Sequence, residues 1–64
     1  MLTAKIGDKI NAHGITVTIA KILYQEYYYD RWENSDDWDI ELIDENGNYR
    51  HWRTWVDGGK LIPC

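Results

Sequence analysis

One stretch of the chain decides the fold: Asp37-Trp38-Asp39-Ile40-Glu41-Leu42-Ile43-Asp44-Glu45-Asn46-Gly47-Asn48-Tyr49-Arg50-His51-Trp52-Arg53-Thr54-Trp55. Apolar and polar residues alternate on both sides of Asn46-Gly47, a pattern typical of a β-hairpin. The turn allows two registers. A two-residue turn at Asn46-Gly47 sets Glu41 opposite Trp52, whereas a three-residue loop with Gly47 in the left-handed region sets Ile40 opposite Trp52.

The longer loop is favoured because it sorts the side chains by polarity, and a one-residue slip moves a whole strand to the other face. It gives one face to Trp38, Ile40, Leu42, Trp52 and Thr54. On the other face Asp39 lies opposite Arg53. Glu41 lies opposite His51 there, and each pair of opposite charge contributes about 0.2–1 kcal/mol. Asp44 then suits the first position of a type I turn, where its carboxylate accepts a local backbone hydrogen bond.

Length and cysteine content narrow the class of protein. The 64 residues are predicted to form one small domain, residues 1–64, because so short a chain supports only a thin core. Cys64 stands alone, and with two His it offers too few ligands for a zinc site. We therefore expect no metal and no cofactor. No apolar run approaches the ~20 residues of a membrane helix, so a cytoplasmic protein without membrane contact is expected.

The charge of the chain is acidic and unevenly distributed. The formal net charge is −4, which disfavours sequence-independent binding to nucleic acid, since such binding rests on Lys and Arg. Residues 26–45 hold most of the acids and a single base, Arg31. The aromatic residues are four Trp and five Tyr, with no Phe. Each ring therefore carries a polar group, the type found where one end is buried and the other is wet.

Residues 15–19 alternate strictly and are rich in β-branched side chains, which predicts a strand with Ile15, Val17 and Ile19 pointing inward. The alternation changes phase after Ile19. Two interpretations stay open for residues 19–29. A β-bulge near Ala20-Lys21 would bend a continuous strand. The apolar residues three, four and eight positions after Ile19 would instead suit a helix. The run Tyr27-Tyr28-Tyr29 favours the strand.

Turn-forming residues mark off the other strands. Asn11-Ala12-His13-Gly14 follows a short first strand that ends at Ile10. Residues 30–37 are polar without periodicity, which predicts a loop, and Asp57-Gly58-Gly59 predicts a turn before a closing strand at residues 60–62. The chain is thus predicted to be all-β with five strands. A strongly bent small barrel is the economical arrangement, because open sheet edges invite aggregation.

This layout resembles an SH3-like small β-barrel, in the broad sense that includes bacterial SH3, Tudor and KOW modules. The features that carry the resemblance are Gly7-Asp8-Lys9-Ile10 at the first strand, Gly14 before residues 15–19, the long loop, the central turn at residues 44–48 and the strand after Asp57-Gly58-Gly59. The resemblance covers most of the chain and implies a fold only. The Ala-Leu-Tyr-Asp-Tyr signature of SH3 domains and the basic character of KOW motifs are absent, so no binding residues are carried over.

Aromatic and acidic residues interleave around the predicted loop. The candidate ligand-binding residues are Tyr24, Tyr27, Tyr28, Tyr29, Trp32, Trp38, Glu33, Asp36 and Asp37. In an extended strand Tyr28 points away from its two neighbours, so we expect at least one exposed tyrosine. Aromatic faces beside carboxylates suit a cationic ligand, since each ring contributes ~0.5–2 kcal/mol of cation–π attraction and the acids steer the ligand. We expect a non-catalytic binding module for a basic peptide or protein segment, acting as a monomer or weak homodimer.

Three other interpretations compete with this one. In the first, the tyrosines only cover the edge of the core beside a solvated acidic loop. A nucleic-acid-associated module would stack bases on the aromatic rings and would need a basic stripe made from Lys5, Lys9, Lys21, Arg50 and Arg53. An acidic mimic of nucleic acid would block a nucleic-acid-binding protein. An enzyme is not expected, because no nucleophile or Gly-rich phosphate loop accompanies the carboxylates.

Overall fold

A computed structural model describes residues 3–64 as a nearly all-β structure. Its elements in chain order are β1 (Lys9–Ala12), β2 (Ile15–Asp30), β3 (Ser35–Asp44), β4 (Tyr49–Arg53), α1 (Thr54–Asp57) and β5 (Lys60–Ile62). All strand pairs are antiparallel, and the strands follow the order β4-β3-β2-β1-β5 across one sheet. The prediction of an all-β fold with five strands and a central hairpin is confirmed.

The sheet is not closed into a barrel, and this part of the prediction is wrong. β4 and β5 are its two outermost strands, and no backbone pairing joins them within residues 3–64. A groove of about 160 Å³ lies instead between the β1–β2 hairpin and β4, with Ile10 and Val17 on one side and Leu42 and Trp52 on the other. β5 has only three residues. All three pair with β1, so β5 is too short to bridge this gap.

The central hairpin has the predicted register. Ile40 lies opposite Trp52, and the residues on either side of Ile40 are paired as expected. Residues 45–47 form the three-residue loop, in which Gly47 has a φ of 80° and donates its N–H to the Asp44 carbonyl at 3.0 Å. Glycine suits this position because it adopts a positive φ without the steric cost that a Cβ would impose.

A buried carboxylate holds the hairpin turn in place. Asp44 is only 1% exposed, and its Oδ1 accepts hydrogen bonds from the N–H groups of Asn46 and Asn48 at 2.9 and 3.0 Å. Its Oδ2 accepts a hydrogen bond from Arg50 Nε at 2.9 Å. These donors, the Arg50 side chain first, lower the pKa of the Asp44 carboxyl below its ordinary value.

β2 is a single bent strand of 16 residues, which settles the choice between strand and helix. Its beginning pairs with β1 and the remainder pairs with β3. The register shifts between Ile19 and Lys21, as the change of phase predicts, and a second shift lies between Ile22 and Tyr24. Ile15 is exposed, contrary to the prediction, because it lies at the start of the strand on the wall of the open groove.

The loop between β2 and β3 is shorter than residues 30–37. β2 continues to Asp30 and β3 begins at Ser35, so residues 31–34 alone form the turn. The tyrosine-rich end of β2 pairs with the acidic start of β3, and the Tyr27 hydroxyl donates a hydrogen bond to Asp36. Cross-strand contacts of this kind extend a hairpin into a segment whose polarity alone indicates a loop.

A helical turn, α1, follows β4 where the sequence pattern predicts that the strand continues to Trp55. Asp57 Oδ2 accepts a hydrogen bond from the Arg53 N–H at 2.9 Å, and Gly58 donates its N–H to the Thr54 carbonyl at the same distance. Gly59 then runs so close to β1 that a Cβ would lie 2.0 Å from the Asn11 carbonyl oxygen. Glycine is therefore required where the chain turns back to form β5.

The core lies on one face of the sheet. It consists of Ala4, Ile10, Val17, Ile19, Trp38, Ile40, Leu42 and Trp52. Alternate positions of β3 supply three of these side chains, so the intervening acids of β3 point to the opposite face. No helix within residues 3–64 has the length and apolar character needed to cross a membrane.

Adjacent substitutions in β3 test which face is buried. Ile40 has 0% exposed surface, so Ile40→Ala is expected to lower the free energy of unfolding by about 2–5 kcal/mol through the cavity it leaves. Glu41→Thr changes the opposite face and is expected to cost about 1 kcal/mol or less. Urea denaturation followed by Trp fluorescence measures both values. Equal losses from the two substitutions would contradict the observed register.

The lowered pKa of Asp44 makes the stability of the domain depend on pH. In the unfolded chain the carboxyl has a pKa of about 3.9, so its stabilising contribution is complete above about pH 4. The contribution is lost as the pH falls through the lower folded-state pKa. Asp44→Asn is expected to lower the Tm at pH 7 and to flatten the fall in Tm on the acid side. Thermal unfolding at several pH values checks this, and an unchanged acid profile would refute the role of Asp44.

Candidate functional site

The side of the sheet opposite the core collects aromatic and acidic side chains from three strands. We call this side the outer face. It consists of Tyr24, Glu26 and Tyr28 from β2, Asp37, Asp39 and Glu41 from β3, Tyr49, His51 and Arg53 from β4, and Trp55 from α1. Residues that lie opposite each other on antiparallel strands point to the same face. The register therefore brings acids and rings side by side.

The predicted ligand-binding residues divide between the two faces and the β2–β3 turn. Tyr24, Tyr28 and Asp37 lie on the outer face, where Tyr28 is directly opposite Asp37. The second group, on the core side, consists of Tyr27, Tyr29, Asp36 and Trp38. Trp32 and Glu33 lie in the turn. A single surface that includes all nine residues does not exist, because successive residues of a strand alternate between the faces.

Trp38 is part of the core and not of an exposed binding surface. It is 9% exposed, its ring is stacked on Trp52 with the centroids 6.0 Å apart, and the Tyr27 ring lies 5.2 Å from it. Tyr27 is itself partly buried against the core. For these two rings the structure agrees with the interpretation in which aromatic residues cover the core and its edge.

Trp32 lies at the tip of the β2–β3 turn and is 98% exposed. Asp30 Oδ1 shapes this turn by accepting hydrogen bonds from the N–H groups of Trp32 and Glu33 at 2.9 and 3.2 Å. Asn34 completes the turn with a φ of 53°, a conformation that Asn tolerates better than most residues. The backbone of the turn is therefore well defined, whereas the Trp32 ring, which precedes Glu33 in the sequence, projects into solvent.

Hydrogen bonds on the outer face run diagonally as well as directly across the strands. Tyr49 donates its hydroxyl to Glu41 Oε1 at 2.6 Å, and His51 Nε2 lies 2.6 Å from Asp39 Oδ1. Asp39 and Glu41 lie opposite Arg53 and His51 as predicted. Their side chains nevertheless contact the residue two positions earlier on β4.

The acids of the outer face act on the neighbouring phenol groups. The hydrogen bond from the Tyr24 hydroxyl to Glu26, 2.6 Å long, raises the pKa of Tyr24 above its ordinary value. The hydrogen bond to Glu41 raises the pKa of Tyr49 in the same way. Partial burial, followed by the charge of Asp37, raises the pKa of Tyr28. All three shifts have the sign that a negative environment produces.

Asp37 is an unusual residue of this face. It is 7% exposed, yet none of the hydrogen bonds or ion pairs within residues 3–64 includes its carboxylate. Arg53, on the same face, approaches no acid closely enough for an ion pair there, and its Nε is buried without a partner. The Asp37 oxygens are not among the buried side-chain atoms that lack a partner, so they reach solvent and can accept a charge-assisted hydrogen bond from a cationic ligand.

Trp55 was not among the ligand-binding residues predicted from the sequence, but it is part of the aromatic surface near Asp37. The ring centroids of Tyr28 and Trp55 are 5.6 Å apart, and both side chains are about half exposed. Trp55 follows Arg53 by two residues and is the second residue of α1. In the sequence, Gly58 is the residue that indicates this helical turn, since glycine commonly follows the last residue of a helix. The same signal also fits the loop that the sequence pattern suggests.

The two arginines of the predicted basic stripe do not lie on one face of the sheet. Arg50 lies opposite Leu42 on the core side and binds Asp44. Arg53 lies on the outer face among acids. The two arginines of β4 therefore point to opposite faces of the sheet. No group of three His, Cys, Asp or Glu side chains arranged to hold a metal ion occurs within residues 3–64.

Comparison with known proteins found no match that would indicate a function. No family model matches the chain, and no curated protein or solved structure matches it either. The likeness to SH3-like barrels therefore stays a resemblance in the order of strands and turns. The chemistry of the outer face is the basis for inferring what the protein binds.

Alkaline titration tests the negative environment of the outer face. The raised pKa values of Tyr24, Tyr28 and Tyr49 predict that these phenols ionise above pH 10. Their stabilising effect is complete below about pH 10, the unfolded-state pKa, and is lost as the pH rises through the higher folded-state pKa. Tyrosinate absorbance of wild type and Glu26→Gln measures this. The substitution is expected to lower the pKa of Tyr24.

Glu45→Gln is the control for this titration, because it removes the same charge from the β3–β4 turn, away from Tyr24. It is expected to leave the tyrosine titration unchanged. Identical curves for wild type and Glu26→Gln would contradict the hydrogen bond between Tyr24 and Glu26.

Proposed function

We propose that this protein is a small non-catalytic binding module whose outer face binds a basic peptide or protein segment. A Lys or Arg side chain of the partner would bind Asp37, beside the Tyr28 and Trp55 rings. The observation that carries the proposal is the Asp37 carboxylate, which lies in a largely buried residue, still reaches solvent and makes no ion pair with a side chain of residues 3–64. A charge-assisted hydrogen bond from the ligand would satisfy it.

The rings beside Asp37 favour a cation over a neutral donor. Tyr28 and Trp55 lie close enough to form one aromatic wall, and a cation over such rings gains ~0.5–2 kcal/mol per ring, depending on how far it is desolvated. Water excluded by the rings also strengthens the attraction between the cation and the carboxylate. Carboxylate and aromatic wall together therefore select Lys or Arg.

The remaining acids of the outer face supply long-range attraction. Glu26, Asp39 and Glu41 surround the proposed pocket, and Tyr24 and Tyr49 lie at its border. A surface with one predominant sign of charge raises the association rate of an oppositely charged partner, and salt weakens this effect. The ligand is therefore a segment with several basic residues and not a single isolated lysine.

We also propose that the protein is cytoplasmic and is a monomer or weak homodimer. The single free cysteine, Cys64, is exposed, which suits a reducing compartment. Two outer faces brought together would place acids against acids, which supports a monomer at low concentration. The same charge pattern supports a basic partner over a second copy of the chain.

Conservative substitution of Asp37 tests the proposal. An acetylated, amidated peptide that alternates Lys and Thr serves as the probe, and the Trp55 indole signal in an NMR titration reports binding. Asp37→Asn is expected to weaken binding at least about tenfold, the equivalent of ~1.4 kcal/mol, because it removes the charge and keeps the shape. The unfolding free energy is expected to change by less than about 1 kcal/mol, because the Asp37 carboxylate makes no ion pair within residues 3–64 and still reaches solvent.

Asp36→Asn is the matched control. It removes one acid at the adjacent position of β3 but on the opposite face, so it is expected to change peptide affinity less than about threefold, through the weaker overall charge alone. Equal weakening by the two substitutions would reduce the effect to net charge and refute the Asp37 pocket. Absence of binding by wild type at low salt would refute the function.

A further inference from the structure

We propose that the basic segment binds as an added, antiparallel β-strand along the free edge of β2, between Tyr24 and Asp30. This inference rests on the proposed function and specifies how the segment is held. It concerns the backbone of β2, whereas the proposed function concerns the side chains of the outer face. The two therefore make separate predictions.

The direction of the backbone groups in β3 follows from two observed contacts. Asp44 donates its N–H to the Asn48 carbonyl at 2.9 Å, on the side of β4. Trp38 donates its N–H to Thr54 Oγ1 at 2.9 Å, on the same side. Backbone groups alternate in direction along a strand. The even-numbered residues of β3 therefore bond towards β4, and the odd-numbered residues bond towards β2.

The same alternation identifies the outward-pointing groups of β2. Gln25, Tyr27 and Tyr29 lie opposite even-numbered residues of β3, so their N–H and C=O groups point away from β3. Ile19, which lies opposite Asp44, confirms the direction. Its N–H and C=O bond to Asp8 and Gly7 at 2.8 and 2.9 Å, on the edge away from β3.

This edge of β2 is covered at one end and open at the other. β1 pairs with β2 only as far as Thr18, and Gly7 and Asp8 extend the cover to Ile19. Further along, the Gln25 side chain binds the N–H and the carbonyl of Ala4, each at 3.0 Å, but the backbone groups of Gln25 stay unpaired. Beyond Ile19, no backbone hydrogen bond within residues 3–64 engages the outward groups of Gln25, Tyr27 or Tyr29. β2 pairs regularly with β3 from Tyr24 to Asp30, and a row of unpaired groups on such a stretch is a template for another strand.

The charges along this edge select a basic strand over a second copy. Residues 24–30 contain Glu26 and Asp30 and no base. The facing part of β3 adds Asp37 and Asp39 on the outer face. Antiparallel pairing of two copies would bring these acids together, and like charges on paired strands are destabilising. A strand with Lys or Arg at alternate positions would neutralise them.

The geometry of an added strand places its basic residues on the outer face. Residues opposite Tyr24, Glu26 and Tyr28 would share their face, at the same spacing of about 7 Å between alternate positions. Basic side chains there would lie beside Glu26 and near the Asp37 pocket. The intervening residues would exchange hydrogen bonds with Gln25, Tyr27 and Tyr29. An antiparallel orientation is proposed because it is the more stable pairing.

Backbone methylation of the probe peptide tests this inference. The Lys–Thr peptide is compared with one that is N-methylated at its Thr residues and one that is N-methylated at its Lys residues. In the proposed arrangement the Thr N–H groups bond to β2 and the Lys N–H groups point to solvent. Methylation at Thr is therefore expected to weaken binding at least tenfold, and methylation at Lys is expected to weaken it less than threefold.

Amide hydrogen exchange on the protein supplies an independent readout. In the free protein the amides of Tyr24, Glu26 and Tyr28 are expected to be protected, because they bond to β3. The amides of Gln25, Tyr27 and Tyr29 are expected to exchange quickly and to become protected when the unmodified peptide binds. Their protection by the peptide supports strand addition.

The remaining outcomes separate failure of this inference from failure of the proposed function. Equal binding of all three peptides, with weakening by Asp37→Asn, would overturn strand addition and leave the outer-face site intact. No binding of any peptide would overturn both. Protection of Gln25, Tyr27 and Tyr29 that rises with protein concentration in the absence of peptide would identify a second copy as the occupant and overturn the basic strand.

Discussion

The buried carboxylate of Asp44 is the interaction on which the rest of this fold depends. It accepts hydrogen bonds from two backbone N–H groups of the turn and from Arg50, and so holds the three-residue loop in one conformation. The loop sets the register of β3 against β4. Because side chains alternate along a strand, this register decides which residues of β3 are buried and which acids point outward.

The open sheet gives this small protein two features that closure would have removed. A closed barrel has no free edges, whereas here the edge of β2 beyond Ile19 lacks a backbone partner within residues 3–64. On the adjoining face, Asp37 is nearly buried and accepts no hydrogen bond within the same residues. The backbone groups of this edge and the Asp37 carboxylate are thus free to accept or donate hydrogen bonds on adjoining parts of the surface.

Local signals made much of the fold predictable. Asn46-Gly47, the alternation on either side and the polarity of the two faces were sufficient for the register of the central hairpin. The change of phase after Ile19 was sufficient for the first bulge of β2. The polarity of residues 30–37 led to the prediction of a long loop, which is wrong because pairing between tyrosines and acids extends both strands into this segment. The alternation of residues 15–19 led to the prediction that Ile15 points into the core, which is also wrong. Such a pattern shows which way a side chain points but not whether another strand covers it.

The sequence by itself determined the all-β class, the central register and the acidic, tyrosine-rich character of the outer face. Each depends on residues close together in the chain, so their physical causes are local. Only the tertiary structure decided that Trp38 is buried, that Trp55 lies beside Tyr28 and that the barrel stays open. These features depend on how α1 turns the chain and on which strand covers which. Contacts between distant residues set them, and no local pattern encodes such contacts.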